Sequence, residues 1–142
     1  MRLVKSAHTV YRTQYHIMWV TRYRRKILIP GVARYLKTKL LEIGTRYPDW
    51  EYIGMAVETD HVHVQMVIPP KYAVSTVVET LKKNTSRWLG EKFRFLHEVY
   101  WDDEGIWSPG FFVSTVGMEE EAVKKYLEMR EKEDRGQAEL EF

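Results

Sequence analysis

The sequence TDHVHVQMVIPP, residues 59–70, contains the clearest strand pattern of the chain. Side chains along a β-strand point alternately to its two faces, so His61, His63 and Gln65 share one face. The apolar residues between them share the other face: Val62, Val64, Met66 and Ile68. The first two residues of the stretch are typical of a tight turn, and its closing prolines end the strand. One face of this strand is therefore predicted to pack in a core and the other to bind a ligand.

The elements around this strand alternate between strands and helices. Periodicity predicts strands over residues 9–20, 50–58, 61–68 and 111–116, and helices from Pro30 to before Pro48, over 74–89, and from Glu119 onward. This order is the split βαβ, ferredoxin-like α+β pattern with an additional C-terminal helix. Two helices are expected to cover the apolar face of an antiparallel sheet, which leaves the histidine face to the last helix and to a ligand.

Length and composition indicate one folded unit. The 142 residues are 44% hydrophobic, which suffices for one packed core but not for two. We expect a single domain over residues 1–135 and a disordered acidic tail over 136–142. The chain has no cysteine, so disulfides, thiolate metal sites and cysteine nucleophiles are excluded. No stretch of about 18–20 apolar residues and no apolar leader is visible, so we expect a cytoplasmic protein.

Charge is distributed unevenly along the chain. Residues 1–50 contain eleven Lys and Arg against two acidic residues, residues 51–100 contain six against six, and residues 101–142 contain five against twelve. A basic patch with aromatic neighbours is typical of phosphate contacts in nucleic-acid-binding proteins, although most basic runs are solvated surface. The residues predicted to contact nucleic acid are Arg12, Arg22, Arg24, Arg25 and Lys26.

His61 and His63 are candidate metal ligands. Imidazoles two residues apart on one strand face can each direct a nitrogen to one ion, at roughly 2.0–2.2 Å. The alternative is two histidines on a half-exposed sheet face without a ligand. A hydrolytic zinc site would need a third His or Cys ligand, and the spacing of His8, His16 and His97 favours none of them.

Tyr126 is a candidate nucleophile on the predicted C-terminal helix. Residues three and four apart form a stripe along this helix: Ala122, Val123, Tyr126, Arg130 and Glu133. A tyrosine on an amphipathic helix usually serves packing. Beside a metal site it gains a chemical role, because a phenol with a pKa near 10 needs a polarised phosphorus centre to attack at neutral pH.

Four segments together resemble a known enzyme family. They are YHIMWVTRYR at 15–24, TDHVHV at 59–64, WSPGFFVSTVG at 107–117 and VKKYLE at 123–128. In this order and at these spacings they resemble the single-tyrosine HUH transposases of the insertion-sequence 200/605 class. The resemblance spans nearly the whole chain and is far more specific than the histidine pair alone.

The resemblance implies a dimeric, ferredoxin-like DNA transposase that cuts and rejoins single-stranded DNA at the ends of an insertion sequence. In such an enzyme His61 and His63 hold one divalent cation, Mg²⁺ or Mn²⁺, and Tyr126 forms a 5′-phosphotyrosine intermediate. DNA hairpins at the element ends are recognised by shape. The resemblance also implies a homodimer with shared active sites, in which the histidines of one chain meet the tyrosine of the other.

One position departs from the family pattern. The family has a glutamine four residues after the tyrosine as third metal ligand, and this chain has Arg130. Arginine has no acceptor lone pair and cannot bind a cation. Glu133, on the same predicted stripe, is the expected replacement. The other interpretations are a metal held by two histidines and water, or a copy that has lost activity.

Two other functions are alternatives to this interpretation. A non-catalytic ferredoxin-like nucleic-acid-binding module would explain the basic half but would leave His61 and His63 without a role. A host-domesticated relative that processes palindromes would share every motif and differ in its DNA target. A two-histidine phosphodiesterase is excluded, because it needs two His-x-Thr/Ser motifs and the chain has none.

Overall fold

The strand that carries the histidine pair lies inside a four-stranded antiparallel sheet. The computed structural model describes residues 3–101 and 104–136. Its strands are β1 Val4–Lys5, β2 Val10–Tyr11, β3 Gln14–Val20, β4 Glu51–Val57, β5 His61–Val67 and β6 Phe112–Ser114. Its helices are α1 Pro30–Arg46, α2 Val74–Lys92, α3 Phe95–Val99 and α4 Glu120–Asp134, with a 3₁₀ turn at Arg22–Arg24. The predictions of an α+β fold, an antiparallel sheet and an additional C-terminal helix are confirmed.

The main sheet has the strand order β4-β5-β3-β6, and β1 and β2 form a separate two-stranded hairpin. Every pairing in the main sheet is antiparallel. Along the chain, the strands of this sheet and the two long helices that cover it follow the order β-α-β-β-α-β, as in ferredoxin-like folds. The histidine strand β5 therefore has a neighbour on each side.

Helices α1 and α2 cover the apolar face of the sheet, as predicted. Val62, Val64 and Met66 of β5 are fully buried and belong to one hydrophobic cluster with both helices. The helix residues of this cluster are Val32, Leu36, Leu40 and Ile43 of α1 and Val77, Val78, Leu81 and Leu89 of α2. Their spacing of mostly three and four residues gives each helix one apolar side. Pro30 suits the first turn of α1, because that position donates no intrahelical hydrogen bond.

The sheet register defines which residues share the histidine face. Residues directly opposite each other on antiparallel strands point to the same side of the sheet. His63 pairs with Met18 of β3, and Met18 pairs with Phe112 of β6. Gln65 pairs with His16. The histidine face therefore continues from β5 across β3 to β6.

The N-terminal strand is shorter than predicted. The alternation predicts one strand over residues 9–20, but the strand is interrupted between Tyr11 and Gln14. β2 pairs with β1 whereas β3 pairs with the main sheet, so the chain changes partner at this point. Thr13 lies at the change: its carbonyl oxygen accepts a hydrogen bond of 3.0 Å from Ile68 N, and its hydroxyl donates to the Ile68 carbonyl.

Other boundaries differ by a few residues. The sequence predicts no helix between α2 and β6, where the short helix α3 lies. Strand β6 covers Phe112–Ser114 rather than 111–116, and α4 begins at Glu120. Residues 137–142, most of the predicted acidic tail, lie outside the described residues. Within the described ranges, no helix has both the length and the apolar content needed to cross a bilayer.

Candidate active site

A carboxylate and an arginine orient His61 at the start of β5. Asp60 Oδ1 lies 2.8 Å from His61 Nδ1, and Asp60 Oδ2 accepts a hydrogen bond of 3.0 Å from Arg24 Nε. Burial alone would raise the pKa of the Asp60 carboxyl, but hydrogen bonds from His61 and Arg24 outweigh it, and the pKa lies below its usual value. Because an ionised carboxylate only accepts hydrogen bonds, a neutral His61 donates from Nδ1 and keeps its Nε2 lone pair for a ligand.

His63 lies at the centre of the histidine face. Its Nε2 is buried and has no hydrogen-bond partner among the described residues. Burial lowers the pKa of His63, and the neighbouring His16 and His61 lower it further. A neutral imidazole carries its proton on one ring nitrogen and a lone pair on the other, so His63 keeps one nitrogen for a metal ion. The chemistry of His63 therefore fits a metal ligand.

The histidine pair fits a divalent cation, but no third ligand among the described residues is grouped with it. Across residues 3–101 and 104–136, no three His, Asp or Glu side chains lie close enough to hold one ion. Glu133, the predicted third ligand, accepts a hydrogen bond of 2.9 Å from Arg130 Nη1, and 53% of its side chain is exposed. The structure therefore does not bring Glu133 to His61 and His63.

His16 is a neighbour of His63 that the sequence analysis did not favour. The two ring centroids are 5.7 Å apart and the rings are tilted by 40°. His16 lies on the strand beside His63, one step along the diagonal of the β3–β5 register. The spacing of residues along the chain does not predict a contact between side chains of two different strands. The one available signal is the alternation of the first predicted strand, which places His16 on the same side as Gln14.

Tyr126 lies on the same sheet face as the histidines, over β6. Its ring meets the Phe112 ring edge-on, at a centroid distance of 5.6 Å and an angle of 82°. Its hydroxyl faces Gly110, where an added side-chain carbon would come within 3.8 Å. Gly110 has a φ of +82°, a left-handed conformation that glycine adopts without strain. Burial raises the pKa of Tyr126 to about 12, so the resting phenol stays protonated at neutral pH.

Arg130 fastens α4 to the segment that precedes β6. Its Nε donates to Ser108 Oγ at 2.9 Å, and its Nη2 lies 3.4 Å from Asp134 Oδ1. Ser108 Oγ also donates to Asp134 Oδ1, at 3.0 Å. We call Arg130, Ser108 and Asp134 the α4 latch. Arg130, at the position where the resemblance leads us to expect glutamine, therefore has a structural role in this chain.

Lys82 supports the same segment from α2. Its Nζ donates to the carbonyl oxygens of Ser108 and Gly110, both at 2.8 Å. Burial lowers the pKa of Lys82 to about 8. Lys82 thus fixes the backbone that lies against the Tyr126 hydroxyl, a role that its position in the sequence does not indicate.

A comparison with known families identifies the chain. The family described as "Transposase IS200 like" matches residues 9–130, which include both histidines of β5 and Tyr126. This chain belongs to the IS200-like transposase family. The predicted family and the predicted function as a transposase are thereby confirmed.

Two relatives match the IS200-like transposase over most of its length. The ISDra2 transposase TnpA of Deinococcus radiodurans is 31% identical over 129 residues, which cover 90% of this chain and 91% of the relative. The transposase for insertion sequence element IS200 of Salmonella typhimurium is 30% identical over 129 residues, which cover 91% of this chain and 84% of the relative.

Two solved structures resemble the transposase. A crystal structure from Deinococcus radiodurans, described as that of a transposase, matches with a TM-score of 0.80 and 30% identity, and covers 89% of this chain and 97% of its own. A REP-associated tyrosine transposase bound to a REP hairpin matches with a TM-score of 0.54 and 16% identity, over 87% of this chain and 68% of its own. At that identity the second likeness shows the fold alone.

Two arginines of the predicted basic patch form ion pairs with other side chains of the transposase. Arg22 is 8% exposed, and its Nη2 forms an ion pair of 3.1 Å with Glu104. Arg24 bonds Asp60, and its Nη1 lies 3.4 Å from Glu131 of α4. Both side chains therefore hold the turn before α1 in place.

The other basic residues of the patch have different surroundings. Arg25 and Lys26 are exposed, and the Arg25 guanidinium lies over the Tyr23 ring, 5.6 Å from its centroid. Arg12 Nη2 donates to Gln14 Oε1 at 2.7 Å, while Arg12 Nε is buried and lacks a hydrogen-bond partner in the described part of the chain. Of the five basic residues that the sequence predicts to contact nucleic acid, Arg25 and Lys26 are exposed neighbours.

The end of α4 holds the Arg22–Arg24 turn in a strained conformation. Tyr23 and Arg24 have φ values of 59° and 55°, a region that costs a residue other than glycine about 1–3 kcal/mol. Asp134 Oδ2 accepts a hydrogen bond of 3.0 Å from Tyr23 N, and Arg135 Nη2 donates to Tyr23 O at 3.1 Å. Because Arg24 also holds Asp60, the docking of α4 and the orientation of His61 depend on one turn.

Replacement of Arg130 by glutamine is expected to loosen α4. Glutamine keeps the helix propensity but leaves the Asp134 carboxylate, 5% exposed, without its cation. We expect the free energy of unfolding in urea to fall by about 1–3 kcal/mol. Lys132→Gln, at an exposed position of the same helix, is the matched control and should change it by less than about 0.5 kcal/mol. Equal stabilities of the two variants would contradict the latch.

Proposed function

We propose that this transposase cleaves and rejoins single-stranded DNA at the ends of its insertion sequence through a covalent bond to Tyr126. In this proposal His61 and His63 hold one divalent cation, Mg²⁺ or Mn²⁺, beside the reacting phosphate. The observation that carries the proposal is the shared sheet face. His63, Met18 and Phe112 form one row across β5, β3 and β6, and Tyr126 packs on Phe112.

The reaction needs few groups beyond the tyrosine. Tyr126 Oη attacks the phosphorus and gives up its phenol proton to solvent. The bond from phosphorus to the 3′ oxygen breaks as the phosphotyrosine bond to the 5′ phosphate forms, and the departing 3′ oxygen takes up a proton. The covalent bond conserves the energy of the phosphodiester, so a 3′-hydroxyl can attack it and release the phenol during rejoining. A divalent cation held by His61 and His63 would supply positive charge to offset the negative charge that develops on the phosphate oxygens.

The Tyr126 ring packs on β6, two strands away from the histidine strand β5. Neighbouring strands lie about 4.8 Å apart, so Phe112 is about 10 Å from His63 across two strand spacings. Met18 between them is 1% exposed, which means that the space above β3 is covered. Catalysis in this proposal therefore requires either a shift of α4 or a tyrosine from a second chain.

We propose a homodimer in which the second chain supplies the tyrosine. β6 lies at the edge of the described sheet, where a strand can pair with a second copy across a two-fold axis. Gly117 lies between β6 and α4, and an added side-chain carbon there would meet nothing within 4 Å. The connection to α4 therefore has space to change direction, as an exchange of helices between chains requires.

Coexpression of two inactive chains tests the shared site. A Tyr126→Phe chain and a His63→Ala chain together form a heterodimer with one complete site if the tyrosine crosses between chains. We expect cleavage of single-stranded DNA at up to about half of the wild-type rate per dimer, from the count of sites in a two-fold dimer. If each chain builds its own site, the heterodimer contains no complete site. Purified heterodimers without activity would therefore reject the shared-site arrangement.

We propose single-stranded DNA with a hairpin as the substrate. Arg12, Arg25 and Lys26 are the proposed phosphate contacts, and Trp101, 84% exposed, offers a ring on which an unpaired base can stack. A REP hairpin is the ligand in the solved complex of the REP-associated tyrosine transposase, which shares this fold. Arg22 and Arg24, the other two arginines of the patch, stabilise the Arg22–Arg24 turn.

Incubation with a labelled single-stranded DNA library and Mn²⁺ or Mg²⁺ tests the proposed function. We expect a protein–DNA adduct that survives denaturant, with the DNA attached at Tyr126 in a peptide map. A chelator should prevent its formation. An adduct that forms equally well with the chelator would remove the cation from the mechanism, and cleavage without any adduct would remove the tyrosine.

A further inference from the structure

Two buried imidazole nitrogens lack partners where β3 and β5 adjoin. His63 Nε2 and His16 Nδ1 are both buried, and neither has a hydrogen-bond partner in the ranges that the structure describes. Their rings adjoin, with centroids 5.7 Å apart. Leaving a buried polar atom unpaired costs about 1–3 kcal/mol, and one hydrogen bond between these two atoms would remove the cost for both.

The contact between His61 and Asp60 shows what a hydrogen-bond acceptor does for a histidine ligand. His61 donates from Nδ1 to Asp60, which leaves its other nitrogen for a ligand. A metal-bound histidine almost always donates its second ring N–H to a nearby acceptor, which fixes the tautomer and the orientation of the ring. None of the described hydrogen bonds gives His63 such an acceptor, and the ring beside it is that of His16.

The register argues against His16 as a metal ligand together with His61. His16 pairs with Gln65 whereas Val20 pairs with His61, so His16 and His61 are offset by four residues along the strands. At about 3.4 Å per residue this offset is about 13–14 Å, too far for both rings to meet at one ion beside His63. The same three residues are not a metal-holding group in the described structure. His16 therefore has to act through His63.

We propose that His16 is the positioning residue for His63, accepting a hydrogen bond at its Nδ1 from His63 Nε2–H. The bond leaves His63 Nδ1 as the nitrogen that faces the cation. Rotation of the two rings can close it, because the torsion that turns an imidazole is broad and diagonal neighbours on paired strands lie within reach of each other. This inference rests on the proposed cation site and assigns the binding nitrogen of His63.

The tautomer of His63 tests the proposal without any assay of activity. In the full-length protein, long-range ¹H–¹⁵N NMR spectra report which imidazole nitrogen carries the proton, with and without Mg²⁺. We expect wild-type His63 to carry it on Nε2. A proton on Nδ1 in the wild-type protein would overturn the proposal, and this measurement needs no variant that has to fold.

Two substitutions separate the acceptor from simple packing. His16→Ala should weaken Mn²⁺ binding by about 10–100-fold in calorimetry and mix the His63 tautomers. His16→Gln keeps an acceptor oxygen and should recover the Nε2–H tautomer and most of the affinity. Wild-type affinity and tautomer in His16→Ala would overturn the proposal, as would a His16→Gln chain that behaves like His16→Ala.

Two controls distinguish this inference from the proposed function. His8→Ala, at an exposed position before β2, should bind Mn²⁺ like the wild type. His63→Ala should bind Mn²⁺ weakly. If His63→Ala binds normally, the cation site itself is wrong and the inference fails with it. If His63→Ala loses Mn²⁺ while His16→Ala does not, the cation site stands and only the role of His16 is rejected.

Discussion

A Tyr126→Phe chain is expected to bind hairpin DNA with wild-type affinity and to form no covalent adduct. Phenylalanine keeps the ring packed on Phe112 but removes the oxygen that attacks phosphorus. Loss of a nucleophile leaves no alternative route to the same intermediate, so we expect adduct yield to fall by more than about 10³-fold. Binding is measured by gel shift under native conditions, and the adduct by a denaturing gel of the same samples.

Tyr72→Phe is the matched control for this variant. The Tyr72 hydroxyl donates to Asp49 Oδ1 at 3.5 Å, a contact between residues outside the row that leads from His63 to Tyr126. This control should give adduct at the wild-type level. Undiminished adduct in the Tyr126→Phe chain would place the nucleophile on a different tyrosine.

A His63→Ala chain should lose both Mn²⁺ binding and cleavage. Removing one of two imidazoles takes away charge stabilisation worth several kcal/mol in the transition state, and about 4 kcal/mol corresponds to about a 10³-fold slower reaction. Native DNA binding should persist, because the proposed phosphate contacts lie on other elements. Calorimetry with Mn²⁺ and a single-turnover cleavage assay measure the two losses separately.

His8→Ala serves as the control for His63→Ala. His8 is exposed and lies outside the main sheet, so its removal changes the histidine content without changing the histidine face. Unaltered Mn²⁺ affinity in His63→Ala would remove this histidine from the cation site. Lost Mn²⁺ binding with full cleavage activity would show that the chemistry does not need the ion.

Local sequence patterns predicted those features of the site that lie within a single strand or a single helix. The alternation of β5 placed His61 and His63 on one face and their apolar neighbours in the core, and both placements follow from strand geometry alone. The helical stripe placed Tyr126 and Arg130 on one side of α4, where both contact the β6 side of the fold. These features depend on spacing within a segment, which the sequence displays directly.

Contacts between distant segments could not be predicted in the same way. His16 meets His63 because of the strand register, and Arg130 meets Ser108 because of the docking angle of α4. Spacing along the chain specifies neither. Charge counts have the same limit, since they grouped Arg22 with exposed residues although it is buried against Glu104.

The predicted strand over residues 9–20 fails for a related reason. Alternation shows only that successive side chains point to opposite sides of a strand. The same pattern is seen when the strand changes from one pairing partner to another. β2 and β3 both alternate, but they belong to different sheets. The two residues between them keep the pattern while the backbone hydrogen bonds change, and a single sequence does not show that change.

The backbone N–H of Tyr23 is a natural isotope-exchange reporter of helix docking. Its hydrogen bond goes to the Asp134 side chain, whereas an amide inside a helix or a sheet bonds to another backbone group. A protected amide takes up deuterium only while its bond is open. The Tyr23 bond opens when α4 leaves the turn, without any strand or helix having to unfold. The deuterium uptake of this one amide therefore measures how often the helix that carries Tyr126 detaches, and a comparison with and without DNA shows whether substrate changes that frequency.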